Sequence, residues 1–195
     1  RYSINDDPLV RAYLAIDMGA TRDIFYADDL IEGLNDDSRE SRLAAIQAVG
    51  MVGTDAAIDQ LVEIIKKSDF QDERLAATMS LGFISNHSSV PFLISLLDDE
   101  EPNIRWDAAI GLAKMRSTAS VPTILKLMDR KYLMMFPELD QNEITSVILT
   151  AIETTSMMSV DEFEPNLVAL AKSDESLKVR DAAIKSLKKN YNKVI

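Results

Sequence analysis

The residue pair Ala-Ile, or a near variant of it, returns down this chain at an almost fixed interval. It occurs at Ala15-Ile16, Ala45-Ile46, Ala77-Thr78, Ala109-Ile110, Ala151-Ile152 and Ala183-Ile184, with spacings of 30, 32, 32, 42 and 32 residues. A period of that size is the signature of a repeat array, in which each unit buries its apolar face against its neighbours. No other feature of the chain restricts the fold as strongly.

Each pair lies in a helical pattern. In the stretch 42–50, Leu43, Ile46 and Val49 fall on one stripe, with small alanines between them that let a second helix approach. Eight residues before each Ala stands an acid: Asp7, Asp37, Asp69, Glu101, Glu143 and Glu175. Acids there are expected to cap the unpaired N–H groups of a helix start. Pro8 and Pro102 follow two of them, at the first helical position where proline is tolerated. Arg11, Arg42, Arg74, Arg105 and Arg180 come four or five residues after the acid, and the fifth repeat has Val147 and Ile148 instead. A second helix follows in five units, with an apolar anchor 15 or 16 residues after the Ala: Leu30, Leu61, Leu93, Ile124 and Leu167. Val90-Pro91, Val121-Pro122 and Glu164-Pro165 read as second-helix starts.

This order of acid, arginine, Ala-Ile and second helix resembles the HEAT-like repeats first associated with phycobilisome lyases. The resemblance runs from about Asp6 to Asn190. It implies an all-α, right-handed α-solenoid of about five helical hairpins plus a terminal helix. The expected organisation is a single repeat domain over 1–195, with repeats near 6–34, 35–66, 67–97, 98–128, 143–171 and 172–191 and an insertion at 129–142. Members of such a family range from scaffolds and transport adaptors to chromophore lyase subunits, an iron-dependent hydroxylase and a DNA glycosylase. The motif therefore specifies fold far more than function.

The insertion is the one break in the period. Within it, Tyr132, Leu133, Met134, Met135 and Phe136 form an apolar run where a polar connection is expected. Insertions in repeat proteins go into loops on one face, often the binding face, and methionine-rich surfaces adapt to varied partners. The competing reading is a short helix folded back over a groove between units. A second candidate surface is a column on the second helices, one residue before and two after each anchor. It reads Asp29/Glu32, Gln60/Glu63, Phe92/Ser95, Thr123/Lys126 and Asn166/Ala169, and passes from acidic to neutral or basic along the chain. Such arrays bind along the concave face lined by second helices. The candidate partner-binding residues are thus Asp29, Glu32, Gln60, Glu63, Phe92, Thr123, Lys126, Tyr132, Met134, Met135 and Phe136. A solvated face accounts for the column equally simply.

Composition narrows the chemistry. The absence of Cys removes disulfides, thiolate metal sites and a cysteine nucleophile. It leaves the compartment open, with the cytoplasm slightly favoured. A net charge of −11 argues against nucleic acid, whose binders carry a basic footprint. The stretch 172–195 is nevertheless basic, with seven Lys/Arg against three Asp/Glu, as a solvated last helix or an acidic-partner patch would be. Apolar stretches fall short of a membrane span. The chain begins at Arg1 rather than Met, so a leader, an anchor or a further domain is allowed for. The one histidine, His87, sits among turn residues and cannot supply the several His-Glu pairs that the hydroxylase likeness implies. The acid groups Asp6-Asp7 and 98–101 lack the ligand spacing of a calcium loop, and no Gly-rich phosphate loop is present. Trp106 is expected to pack in a seam between repeats. No cofactor is expected. The reading is a non-enzymatic scaffold for a protein or peptide with a basic segment. The alternative is a lyase or chaperone-type subunit acting on a tetrapyrrole-bearing protein.

Overall fold

The computed structural model describes residues 5–158 and 160–194; residues 1–4, Ser159 and Ile195 lie outside the described residues. The helices run in the order α1 (Pro8–Thr21), α2 (Ala27–Gly33), α3 (Arg39–Val52), α4 (Ile58–Lys67), α5 (Gln71–Ile84), α6 (Val90–Ser95), α7 (Pro102–Lys114), α8 (Val121–Leu127), α9 (Arg130–Leu133), α10 (Gln141–Thr155), α11 (Glu164–Ser173) and α12 (Leu177–Tyr191). No strand occurs among the described residues. The fold is an all-α solenoid built from helical hairpins, with α9 lying inside the insertion and α12 as a last first-helix. A 3-10 turn leads into each second helix, at Ile24–Tyr26, Asp55–Ala57, His87–Ser89, Thr118–Ser120 and Asp161–Phe163.

The chain divides into two compact units, one ending at Gly111 and the other starting at Leu112. In the first unit α1 packs on α3 and α3 on α5, while α2 lies against α3 and α4 against α5. In the second, α10 packs against α8 and α12, and α11 against α12. The alanine of all six pairs and the five anchors are fully buried. Trp106 is buried as well.

The arginine keeps the register better than the Ala-Ile pair does. Arg11, Arg42, Arg74 and Arg105 each precede their anchor, Leu30, Leu61, Leu93 or Ile124, by nineteen residues. Gly19, Gly50 and Gly82 each stand eight residues after an arginine. They meet Ala48, Ser80 and Gly111, each six residues after the next arginine. A Cβ on Gly50 would come within 2.8 Å of the Ser80 Cα, and one on Gly82 within 3.0 Å of the Gly111 Cα. Small residues at these two positions therefore set the close crossing of successive first helices. A left-handed residue just past the end of each of these first helices also keeps this register, at Arg22, Gly53, Ser85 and Arg116, eleven residues after the four arginines. Only one of the four is the glycine that this conformation favours.

Each arginine closes a turn and, in several units, clasps the next one. Arg42 donates from Nη1 to the carbonyls of Asp36 and Asp37 at 2.8 and 3.2 Å. Arg105 does the same to Asp99 and Glu100, and Arg11 and Arg180 each reach the carbonyl six residues back. In Arg11, Arg42 and Arg74 the rest of the guanidinium turns to a carboxylate in the following repeat. Arg11 makes a two-pronged pair with Asp36 at 2.6 and 2.8 Å, Arg42 donates twice to Glu73 at 3.1 and 2.9 Å, and Arg74 pairs with Asp99 at 2.9 Å. Asp36 and Asp99 also accept the N–H of Ser38 and Glu101. In the third repeat Ser68 accepts the N–H of Phe70 and donates to Glu73 at 2.7 Å.

The expectation that the periodic acids cap the first helices holds only in part. Asp7 caps α1 through Leu9, and Glu143 closes a capping box with Asp140. Asp37, Asp69 and Glu175 do not cap: the N-cap residues are Ser38, Phe70 and Ser176. Of the acids clasped by arginine, Asp36 and Asp99 lie one or two residues before the periodic position, where they also satisfy a turn N–H, while Glu73 lies four residues after Asp69.

The buried pairs give a direct test. Glu73 is almost wholly buried, so Arg42→Met strands a carboxylate whose remaining hydrogen bond comes from Ser68. It should cost about 3 kcal/mol in urea unfolding, and the double change Arg42→Met/Glu73→Leu should restore most of that loss. A second test lies in the other unit, where Tyr191 donates to the Val160 carbonyl at 2.6 Å. Burial first, and then the charges of Asp161, Glu164 and Glu162, raise the Tyr191 pKa above its ordinary value of 10.0. The unfolded chain thus loses this proton at lower pH than the fold does. The stability it contributes is full below pH 10.0 and is lost as pH climbs through the folded value. Tyr191→Phe should flatten the alkaline fall of the melting temperature.

Candidate functional site: grooves beside the second helices

In the first unit the column residues fall into two sets. Glu32 and Glu63 are exposed, while Asp29, Gln60 and Phe92 are half-buried. Helical geometry explains the alternation: the residue before an anchor leans toward the packed side, and the residue two after it turns outward. Gln60, Glu63, Leu34, Asn35, Ile64 and Phe70 help line a groove of about 670 Å³. Asn35 donates weakly to Gln60 across it at 3.4 Å. Its acidic rim is not bare, because Lys67 pairs with Glu63 one turn away. The Lys67 hydrogen bond, and then its charge, hold the Glu63 carboxyl below the usual range. Lys66 lies over the Phe92 ring at 5.5 Å, and Arg39 over Phe70 at 4.5 Å while pairing with Asp72. The Lys66 contact holds a long side chain across the second-helix surface, and the Arg39 contact joins the starts of the first helices α3 and α5.

In the second unit Lys126 is exposed and Thr123 half-buried. The insertion folds as Asp129-capped α9, continuing into a turn through Phe136. Its apolar run is split by side. Leu133 is fully buried, and Tyr132 and Phe136, both half-buried, meet edge to face at 5.2 Å between centroids. Met134 and Met135 point outward, 59% and 75% exposed. Met134 lines a groove of about 660 Å³ with Met128, Lys131, Pro165, Asn166 and Leu170. The insertion and the column positions of α11 therefore share one groove.

Arg130 carries the anchoring, which sequence reasoning missed. It pairs with Asp174 through Nε and Nη2, at 3.1 and 2.9 Å, and with Glu175 at 3.1 Å. Asp174 accepts the N–H of Ser176, and its carbonyl takes Arg180 Nη1. These are the bonds that Asp36 and Asp99 make in their own repeats. The fifth repeat lacks the helix-start arginine, and the insertion supplies one in its place. The only sequence hint is an arginine at the head of the very segment that breaks the period.

A third surface also escaped the sequence reading. On the first-helix side of the first unit, Met51, Met79 and Phe83 are exposed around a groove of about 600 Å³. His87 is exposed in its turn. Among the described residues no group of three or more His, Asp or Glu is placed to hold a metal ion, and no helix is long and apolar enough to cross a membrane.

A family model for HEAT repeats matches residues 3–82 and 58–132. This chain belongs to the HEAT-repeat family. Among solved structures, it is similar to a chain of the complex of CpcE and CpcF of phycocyanin lyase from Nostoc sp. PCC7120, with a TM-score of 0.67 and 19% identity over 86% of this chain. It spans 65% of the length of that chain. A designed armadillo repeat protein is similar over 95% of both chains, with a TM-score of 0.51 and 15% identity. At these identities the two likenesses speak for the helical-repeat fold alone. No curated protein matches this chain.

Anchor and surface separate cleanly in a mutational test. Arg130→Met leaves Asp174 buried without its cation and should cost about 3–5 kcal/mol in chemical unfolding. Met134→Ser and Met135→Ser should cost about 0.5 kcal/mol or less each, because both side chains already face water.

Proposed function

We propose that this HEAT-repeat chain is a non-enzymatic protein-binding scaffold. Its partners are extended or helical segments lying beside the second helices, and in the first unit such a segment is received by Asp29, Glu32, Gln60, Glu63 and Phe92. In the second unit such a segment is received by Thr123, Lys126 and the insertion residues Tyr132, Met134, Met135 and Phe136. The observation that carries the reading is the groove in which exposed Met134 stands beside Asn166 and Pro165 of α11. An anchored helix that turns methionines to solvent keeps adaptable apolar surface in place at little ordering cost. Basic residues on the partner suit the exposed carboxylates of Glu32 and Asp59 in the first unit and speed encounter at low salt.

A second reading, a lyase or chaperone-type subunit acting on a tetrapyrrole-bearing protein, draws on the likeness to the CpcE–CpcF chain. An absorbance shift on mixing with a bilin would favour it over a plain scaffold.

The test is selection of binding peptides from a displayed random library. Selected peptides should lose about tenfold or more in affinity for Met134→Ser/Met135→Ser or for Glu32→Lys/Glu63→Lys, with melting temperatures unchanged. Peptides that bind both variants as well as the parent would overturn the proposal.

A further inference from the structure

The first hairpin breaks its own repeat register on the outside. Two residues before the arginine, later repeats carry Glu40, Asp72, Asn103 and Lys178, whereas α1 carries Leu9, 60% exposed. Two residues after it, Ala44, Ala76, Asp107 and Ala182 correspond to Tyr13, 68% exposed. Leu9, Tyr13 and exposed Ile16 follow one another at four and three residues, so they form one stripe of α1. At the head of the second helix, the polar or small pairs Asp55-Ala56, His87-Ser88 and Thr118-Ala119 correspond to Ile24-Phe25, both largely exposed. Apolar side chains facing water at positions that the other repeats keep polar or small are not required by the fold, and clustered exposed apolar surface marks an interaction site.

The register also says what this face is not shaped to receive. Where α3 accepts α1 and α5 accepts α3, the receiving positions are Ser41, Ala44 and Ala48, and Glu73, Ala76 and Ser80, all buried. In α1 the same positions are Val10, Tyr13 and Asp17. A helix seated as closely as α1 sits on α3 would run into the Tyr13 ring and cover the Asp17 carboxylate. The slot that holds a clasped acid in the second and fourth repeats, Asp36 and Asp99, is filled here by neutral Asn5, which still accepts the Asp7 N–H and the Arg11 guanidinium. Asn5 offers no carboxylate to the arginine of another stacked repeat. The face suits a helix held off by its side chains, at the ordinary separation of about 8–10 Å. Asp6, Asp7 and Asp17 are exposed around the stripe.

We infer that the outer face of α1 docks an amphipathic helix of a partner protein, one whose apolar stripe is bordered by Lys or Arg. Leu9, Tyr13 and Ile16 take the apolar stripe, and the surrounding aspartates select the basic border. This surface is separate from the grooves beside the second helices.

Two labelled helical peptides of about 18 residues serve as probes, with one leucine stripe in common and flanks of Lys in one and Glu in the other. Fluorescence anisotropy should show the Lys-flanked peptide binding about tenfold or more tighter, with the gap narrowing in Asp6→Lys/Asp17→Lys. Leu9→Ser/Tyr13→Ser should abolish that binding with melting unchanged, and Met134→Ser/Met135→Ser should leave it intact. Equal binding of the two peptides would overturn the inference, as would binding indifferent to Leu9 and Tyr13. So would a concentration-dependent dimer of the chain alone that Leu9→Ser/Tyr13→Ser dissolves, because the occupant would then be a second copy.

Discussion

A guanidinium group bonded both to its own turn and to the following repeat sets the geometry on which the rest of this fold depends. The Arg42 side chain bridges two backbone carbonyls behind it and one carboxylate ahead of it. The fork of five N–H donors is what permits this, since a lysine ammonium lacks the planar reach to serve both at once. A partly buried ion pair is weak evidence of net stability, because desolvation offsets much of the attraction. Its stronger effect is on specificity. With the turn fixed, Gly50 is delivered to Ser80 and Gly82 to Gly111, and first helices cross at a distance that larger residues would not allow.

Much of the fold was legible in the sequence because burial at a fixed period leaves a plain trace. The six alanines and the five anchors are all buried, and the second helices begin where Val90-Pro91, Val121-Pro122 and Glu164-Pro165 placed them. The acids were harder to read. Counting from Ala-Ile put the expected cap on Asp37 or Glu175, while the carboxylates that the turns use are Asp36 and Asp174. Asp and Glu adjoin one another at these turns, and composition cannot say which of two neighbours accepts an N–H. Counting from the arginine removes the ambiguity, since it aligns with the glycines and the anchors together.

The insertion resisted sequence reading for a different reason. Its helix is four residues long, too short for periodicity to assign sides, so buried Leu133 and exposed Met134 looked alike within one apolar run. The two readings of this segment, a folded-back helix or an adaptable surface, are not exclusive once the sides are known. Leu133 and Arg130 fasten it, and Met134 and Met135 are what the fastening presents. The pairing of Arg130 with a carboxylate 44 residues away has no local signature at all.

Arg130 also changes how this chain can be cut and recombined. Repeat proteins are usually treated as strings of interchangeable cassettes, with irregular segments between cassettes as disposable padding. Here the padding holds a part that belongs functionally to the next cassette, so the unit of exchange is the stretch from Asp129 to Asp174 rather than the fifth hairpin alone. A graft of that hairpin without its preceding segment would arrive missing a cation, and a shortened version of the chain would need a new one at the start of α10.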